Sequence, residues 1–509
     1  MINKLNNNKL LFFLFSFILL IGFLVRVWNI SSNPAGFFAD EASFEYNAYK
    51  ILKTGKDEFG VSFPVYFKAF GEYKNPVYIY SAVPVVMIFG LSELSIRMTS
   101  LIYGLAAIII LYFLAKELFN QEIGLISAFF LAISPWHIHF SRFGFEVITT
   151  PFWVSLSILL LIKSIKNFKF YPYAIISLIL SFLTYNPPKI YLLPLYISFL
   201  IIFFDKTKFW FKSLKFWIFN FLGVIILLIL IWPYLINGGF FERWNQVKMT
   251  SMTFQNILTA YLNHFSPVFL FKSGEIDFPG SFITRTSIRG IGELYWFQLP
   301  LIIISLFSLI KNGRFKKSMF FIISFLIIYP ISSMFTIVTP SATRSIIGVI
   351  PFQIISAAGF YYIFSYFKKG ANFKKYIFAL LSLIVVISSL CKFIYKLSEY
   401  PNYSADYWGW QYGPKEIITY FKTQSDKYDE LYMTGSFNAP EIFLKFYDSN
   451  NLCSNCYIGG PDRLNTQKKQ LFAVRSEELK EVKWPYKIKK TIDYPNKNKA
   501  YYLIDNEIF

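Results

Sequence analysis

The chain is short of acid, of charge in general and of cysteine. Its 509 residues hold 30 Asp and Glu against 50 Lys and Arg, and charged residues make up only 16%. A soluble domain carries about a quarter of its residues as charge. Three cysteines are present: Cys391 lies in an apolar run, and Cys453 and Cys456 form "CSNC" near the C-terminus. No second CxxC and no His follows Cys391, which argues against a zinc site in that tail; of a redox-active pair and a local structural disulfide, an oxidising outer face favours the disulfide. No internal repeat is visible. Three histidines occur in all, two of them in "SPWHIHFSR". His137 and His139 are two apart, so on a helix they face different ways, and they read as helix-end packing rather than a metal pair.

What is abundant is apolar. Hydrophobic residues reach 55% and aromatics 21%, with 60 Phe and 35 Tyr. They come in blocks of about twenty, the length that crosses a bilayer as a helix. The periodicity predicts about eleven spans, near 10–30, 95–118, 122–140, 147–165, 171–186, 188–204, 214–236, 293–310, 317–338, 343–366 and 375–395. Lys4 and Lys9 precede the first, and no small-residue cleavage site follows it, so it is expected to stay as an anchor.

The net charge of +20 could suggest a nucleic-acid partner, but its distribution argues otherwise. The cations concentrate in "IKSIKNFKF", "DKTKFWFKSLK", "IKNGRFKKS" and "FKKGANFKK", while "LAKELFNQEIG" is the weakest of the five loops on that side. Basic loops stay in the cytoplasm. This puts the N-terminus inside, and residues 31–94, 237–290 and 396–509 outside. Within 31–94, "DEASFEYNAYKIL" reads as a short helix beginning at Asp40, and "NPVYIYSAVPVVMIFG", short for a span, as an interfacial or re-entrant helix. The tail alternates helix and strand patterns ("GPKEIITYFKTQ", "DELYMTG", "APEIFLKFYD", "KAYYLID"), which predicts a small α/β domain.

Topology does not account for every charge. Lys74, Arg97, Arg142, Lys189 and Arg344 all fall at the outer ends of predicted elements, beside Asp40, Glu41 and Glu146. Acids near membrane depth are costly and usually face a cavity or a partner. A ring of cations around carboxylates suits an anionic head group, such as a lipid phosphate, with a base beside it. Asp40 and Glu41 also suit a helix start, where acids interact well with free N–H groups.

The elements "ADEASFEYNAY", "GEYKNPVYIY", "GLSELSIRMTSLIYG", "ISPWHIHFSRFGFE" and "PSATRSIIGVIP" occur in an order that resembles the GT-C superfold glycosyltransferases, in particular the family 39 and aminoarabinose-transferase-like branch. Two positions depart from that pattern: Asn75-Pro76 stands where a double proline is usual, and Thr343 where His often precedes the arginine. The resemblance implies an all-α polytopic membrane protein of GT-C type, residues 1–395, followed by an extracytoplasmic α/β domain, 396–509. It implies transfer of a sugar from a polyprenyl-phosphate donor to a hydroxyl acceptor on a protein, lipid or glycan. Asp40 would be the catalytic carboxylate, with Glu41 and Glu146 as helpers. Lys74, Arg97 and Arg344, joined by Arg142 and Lys189 from the charge pattern, would meet the phosphate. Acids at the site could hold a divalent ion, but no ligand spacing demands one. The competing reading is a lipid-linked-sugar flippase or transporter, which would place charges mid-span and show inverted repeats. Here the mid-span regions are clean.

Overall fold

In the computed structural model of the chain, residues 2–275, 285–311, 315–368 and 372–506 are described. Parts of the basic loops at 310–318 and 367–375, and of the loop 237–290, lie outside them. The described body is a helical bundle, with a mixed sheet at its C-terminal end.

Helix α1 (Ile2–Val27) is followed by an irregular stretch and then α2 (Ala39–Thr54). Helix α2 stops where Gly55 takes a left-handed φ of 67° and its N–H caps the Ile51 carbonyl. A hairpin of β1 (Phe67–Ala69) and β2 (Glu72–Lys74) comes next. Its two-residue turn has positive φ at both Phe70 and Gly71 (52° and 74°), which suits the twist of antiparallel strands. Glu72 and Lys74, two apart on a strand, therefore point to the same face. Helix α3 (Pro76–Phe89) starts with proline at its first turn. Its 14 residues reach only about 21 Å, short of a hydrocarbon core. Helix α4 (Glu93–Leu118) runs 26 residues, capped by the Ser92 side chain on the Ser95 N–H.

Among the described residues six helices are long and apolar enough to cross a membrane: Lys9–Val27, Glu93–Leu118, Glu146–Lys166, Leu214–Ile236, Ile346–Phe367 and Tyr376–Ser404. Pro188–Ile202 and Phe204–Lys212 form a further pair bent by 83°. Several predicted spans are shorter than expected because proline interrupts them. The run 122–140 divides into α5 (Gln121–Ile133) and α6 (Pro135–Phe140), with the intervening Ser134 extended ahead of Pro135. The run 317–338 is helical only over Lys316–Ile328, just before Pro330. The last helix, Asn372–Ser404, instead continues past the predicted end at 395. Phe12, Phe17 and Leu24 on the first helix, and Leu380, Leu383 and Ile387 on the last, are exposed as a lipid-facing surface would be.

After Ser404 the chain folds into a five-stranded sheet of order β4-β3-β5-β7-β6: β3 Glu430–Met433, β4 Cys456–Ile458, β5 Gln470–Arg475, β6 Tyr486–Asp493 and β7 Lys499–Asn506. β3 pairs in parallel with β4 and β5, while β7 pairs antiparallel with β5 and β6. Helices Pro414–Gln424 and Glu441–Tyr447 bury Ile417, Phe421 and Phe443 in the core that also takes Leu431, Met433 and Leu471 from the sheet. Cys453 and Cys456 are joined as a disulfide.

Candidate active site

Asp40 is the second residue of α2, in a first turn that has no side-chain cap from Phe38. Its Oδ1 lies 3.0 Å from Lys74 Nζ, and 21% of its side chain remains exposed. Lys74 is buried and pairs at the same time with Glu72, whose other oxygen lies 3.3 Å from Arg243 Nε. The hairpin register makes this possible, since β2 turns Glu72 and Lys74 to one face. Burial acts to raise the Asp40 pKa, but Lys74, Arg285 and Arg243 outweigh it and hold the carboxyl below the usual aspartate range. Lys74 is held above its ordinary value: burial lowers it, and Asp40, Glu72 and Glu146 more than compensate.

The exposed edge of Asp40 opens on a cavity of about 270 Å³ whose walls include Phe143, Phe145, Tyr185, Arg243, Glu275, Arg285 and Arg344. A second cavity of about 290 Å³ shares Tyr185, Arg243 and Arg344 with the first. Its other walls are mostly apolar, from Ile190, Phe240, Phe241, Trp244 and Val247, with Lys189 among them. Arg344 donates Nη1 to the Val338 carbonyl, and Arg285 lies over the Phe38 ring at 4.9 Å. Among the described residues neither arginine has a carboxylate within salt-bridge range. Two guanidinium groups thus border the Asp40 cavity, and Arg285 acts on the Asp40 charge without pairing with it directly.

The remaining residues singled out by sequence fall into different places. Lys189 hydrogen-bonds Asn186 Oδ1 at 2.7 Å and lies among the rings of Tyr66, Phe182, Tyr234 and Phe240 on the second cavity. Glu41 does not face the cavity. One residue further round the helix than Asp40, it is fully buried, lies 3.3 Å from Arg97 Nε and accepts the Gly144 N–H at 2.7 Å. Arg97 also donates to the carbonyls of Ile30, Ser31, Pro34 and Gly36, so each of its three nitrogens is engaged by protein. Arg142 similarly holds the carbonyls of Val25, Arg26 and Asn33. Glu146 is buried, and its Oε2 accepts the Asn75 N–H at 3.1 Å, at the start of α3. Arg97 and Arg142 therefore clamp the loop between α1 and α2, and Lys74 meets two carboxylates before any phosphate.

His137 Nδ1 is 2.8 Å from Arg26 Nη2, which ties the end of α1 to α6, and His139 Nε2 is 2.8 Å from the Arg285 carbonyl. Among the described residues no three His, Cys, Asp or Glu side chains gather around a point where an ion could bind. Sequence reasoning missed Arg243, Arg285, Tyr185 and Glu275. All but Tyr185 lie in the loop 237–290, where no periodicity shows which residues fold back over the bundle.

A bundle of apolar helices carrying a carboxylate and arginines around one cavity defines a polytopic membrane protein with a polar site. Comparison with known proteins narrows the class. Residues 73–236 match the family model described as dolichyl-phosphate-mannose-protein mannosyltransferase. The fold is similar to that of the archaeal oligosaccharyltransferase AglB from Archaeoglobus fulgidus, solved in complex with an inhibitory peptide and a dolichol-phosphate (TM-score 0.55, 14% identity, 87% of this chain and 64% of that one). The chain thus spans less than two thirds of AglB. It is also similar over nearly its whole length to ArnT from Cupriavidus metallidurans, both bound to undecaprenyl phosphate (TM-score 0.53, 13% identity, 98% of each chain) and in the apo state (TM-score 0.51, 12% identity, 99% of each chain). No curated protein sequence matches the chain. The chain thus has a fold similar to that of ArnT and AglB, and part of its length, residues 73–236, carries the match to the mannosyltransferase model.

Proposed function

We propose that the chain is a glycosyltransferase that moves a sugar from a polyprenyl-phosphate donor to a hydroxyl acceptor, with Asp40 as the base. One observation carries the reading: an ionised carboxylate, fixed by Lys74 at 3.0 Å, faces a cavity bordered by Arg285 and Arg344, neither of which forms a salt bridge among the described residues. The apolar second cavity that shares Arg344 suits the start of a prenyl chain. The ArnT structure with undecaprenyl phosphate, a relative by fold, supports this class of donor.

In this mechanism the acceptor hydroxyl gives its proton to an Asp40 oxygen as its own oxygen attacks the anomeric carbon. The bond from that carbon to the phosphate oxygen breaks, and the phosphate leaves with the electron pair. Arg344, Arg285 and Arg243 stabilise the charge that develops there. A single base opposite the leaving group gives inversion, whereas retention would use a carboxylate nucleophile and a covalent intermediate. Lys74 orients Asp40 and keeps it ionised. Glu41 and Glu146 act at one remove, by fixing α2 and the start of α3.

In the same reading the shorter apolar helices complete about eleven crossings, the N-terminus is cytoplasmic, and Asp40 and the C-terminal sheet lie outside. The chain divides into a transmembrane catalytic domain, 1–395, and an extracytoplasmic α/β domain, 396–509. The test is release of polyprenyl phosphate from a polyprenyl-phosphate sugar by purified protein in the presence of a hydroxyl acceptor. A transporter would leave the donor intact.

A further inference from the structure

One buried side chain of the C-terminal domain reaches the first turn of the catalytic helix, which helix Glu441–Tyr447 also packs against. Gln411 is 1% exposed. Its Oε1 accepts the N–H of Ala39, the first residue of α2, at 2.5 Å, and its Nε2 donates to the Asn438 carbonyl at 2.6 Å. The first N–H groups of a helix have no partner within it, and a cap oxygen ordinarily comes from the residue just before. Here that residue is Phe38, whose side chain has no oxygen to offer. The cap comes instead from 372 residues further along the chain.

The segment that delivers it is built to stay in place. Asp406 Oδ1 accepts the N–H groups of Trp408, Gly409 and Trp410, and the Asp406 carbonyl accepts that of Tyr412 at 2.7 Å. Trp410 is fully buried, donates Nε1 to Tyr400 at 2.8 Å, and meets the Phe38 ring edge-on at 5.5 Å. A Cβ on Gly36 would lie 2.3 Å from the Trp410 carbonyl oxygen, so the two backbones are in direct contact. Gln411 itself has φ of 50°, a conformation that a non-glycine residue keeps only where its surroundings hold it.

We propose that Gln411 is a positioning residue for Asp40: the C-terminal domain caps α2 from outside the helix and sets the place of the carboxylate one residue on. This rests on the proposed reading of Asp40 as the base. It gives the C-terminal domain a part in transfer through the backbone of α2. Misplacing a reacting group by about 1 Å can cost on the order of a hundredfold in rate.

The experiment compares full-length wild type, Gln411→Met and Gln411→Glu in detergent or nanodiscs. Gln411→Met keeps the side-chain length without the acceptor oxygen, and Gln411→Glu keeps an acceptor. Deuterium uptake is followed in the peptide covering 37–46, together with undecaprenyl-phosphate binding, thermal unfolding and transfer rate. The proposal expects faster exchange in that peptide for Gln411→Met and slower exchange restored in Gln411→Glu. It expects kcat to fall tenfold to a hundredfold in Gln411→Met with undecaprenyl-phosphate affinity within about twofold of wild type, and to recover substantially in Gln411→Glu. Unchanged exchange and unchanged kcat in Gln411→Met would overturn it. So would a parallel loss of binding, melting temperature and kcat, which marks a merely structural residue. If wild type itself transfers nothing, the reading of Asp40 as a base falls and the positioning role with it, while the exchange measurement separately decides whether Gln411 caps α2.

Discussion

Lys74 Nζ lies 3.0 Å from Asp40 Oδ1, and the same ammonium is paired with Glu72. A lysine so engaged on protein carboxylates has little freedom to leave them for a substrate phosphate. Its effect reaches the reaction through Asp40. Removing it should therefore change the acidity of the base before it changes the grip on the donor.

The first prediction follows from that. With Lys74 present, Asp40 is ionised down to below the usual aspartate value. Activity limited by this group is full above that point and is lost as pH falls through it. Lys74→Met removes the nearest opposite charge, which typically accounts for about 1–3 pH units. The acid limb of kcat/KM should move to higher pH by that order, with the donor's Kd changed much less. An unmoved acid limb together with a large loss of donor affinity would return Lys74 to the phosphate.

Arg344 and Arg285 should behave in the opposite way. Each borders the cavity without a carboxylate partner among the described residues. A charge-assisted contact is worth about 1.5–3 kcal/mol, or roughly tenfold to a hundredfold. Arg344→Gln and Arg285→Gln should each weaken undecaprenyl-phosphate binding by that order, measured directly on purified protein. Binding at wild-type strength in both would place the phosphate elsewhere.

The buried Glu41–Arg97 pair predicts a stability effect. Removing one partner of such a pair costs about 3–5 kcal/mol because the other is left charged and alone. Arg97→Met should lower the melting temperature sharply, and the double variant with Glu41→Gln should recover part of the loss. Additive single effects would show that the two side chains do not depend on each other.

Glu45, on the same helix, predicts a pH effect. Burial raises its pKa to about 8, and hydrogen bonds from Ser95 and Ser92 only partly offset this. The folded protein then keeps a proton that the unfolded chain has lost between its ordinary value near 4.5 and about 8. This stabilisation is fully present below the lower value and disappears as pH rises through the upper one. Glu45→Gln should flatten the fall in melting temperature between those limits. A variant with the same pH dependence as wild type would show that Glu45 does not carry that proton.

Much of this was legible in local pattern. Apolar blocks marked the helices, "DEASFEYNAYKIL" marked α2, and four segments of the tail gave α/β elements that the structure also has. Proline at 135 and 330 shortened spans that hydropathy alone had drawn through, while Cys456–Ile458, Gln470–Arg475 and Tyr486–Asp493 became strands without having stood out. The cluster of charges was legible too, but not its division of labour. Whether a cation at a helix end reaches a cavity or turns inward onto carbonyls depends on what is packed over it. That is why Arg97 and Arg142 were grouped with Arg344, and why Arg243 and Arg285 were passed over. Gln411 carries no local sign at all, because its partner is the backbone of Ala39.

The assignment of Asp40 is best tested by single-turnover transfer with purified Asp40→Asn and a polyprenyl-phosphate sugar. Asparagine keeps the size of the side chain but cannot accept the acceptor's proton. Loss of a general base typically costs about 10²–10⁴ in rate. The account predicts a fall of that order, with melting temperature and undecaprenyl-phosphate affinity close to wild type. Transfer at a near-normal rate by well-folded Asp40→Asn protein would contradict it.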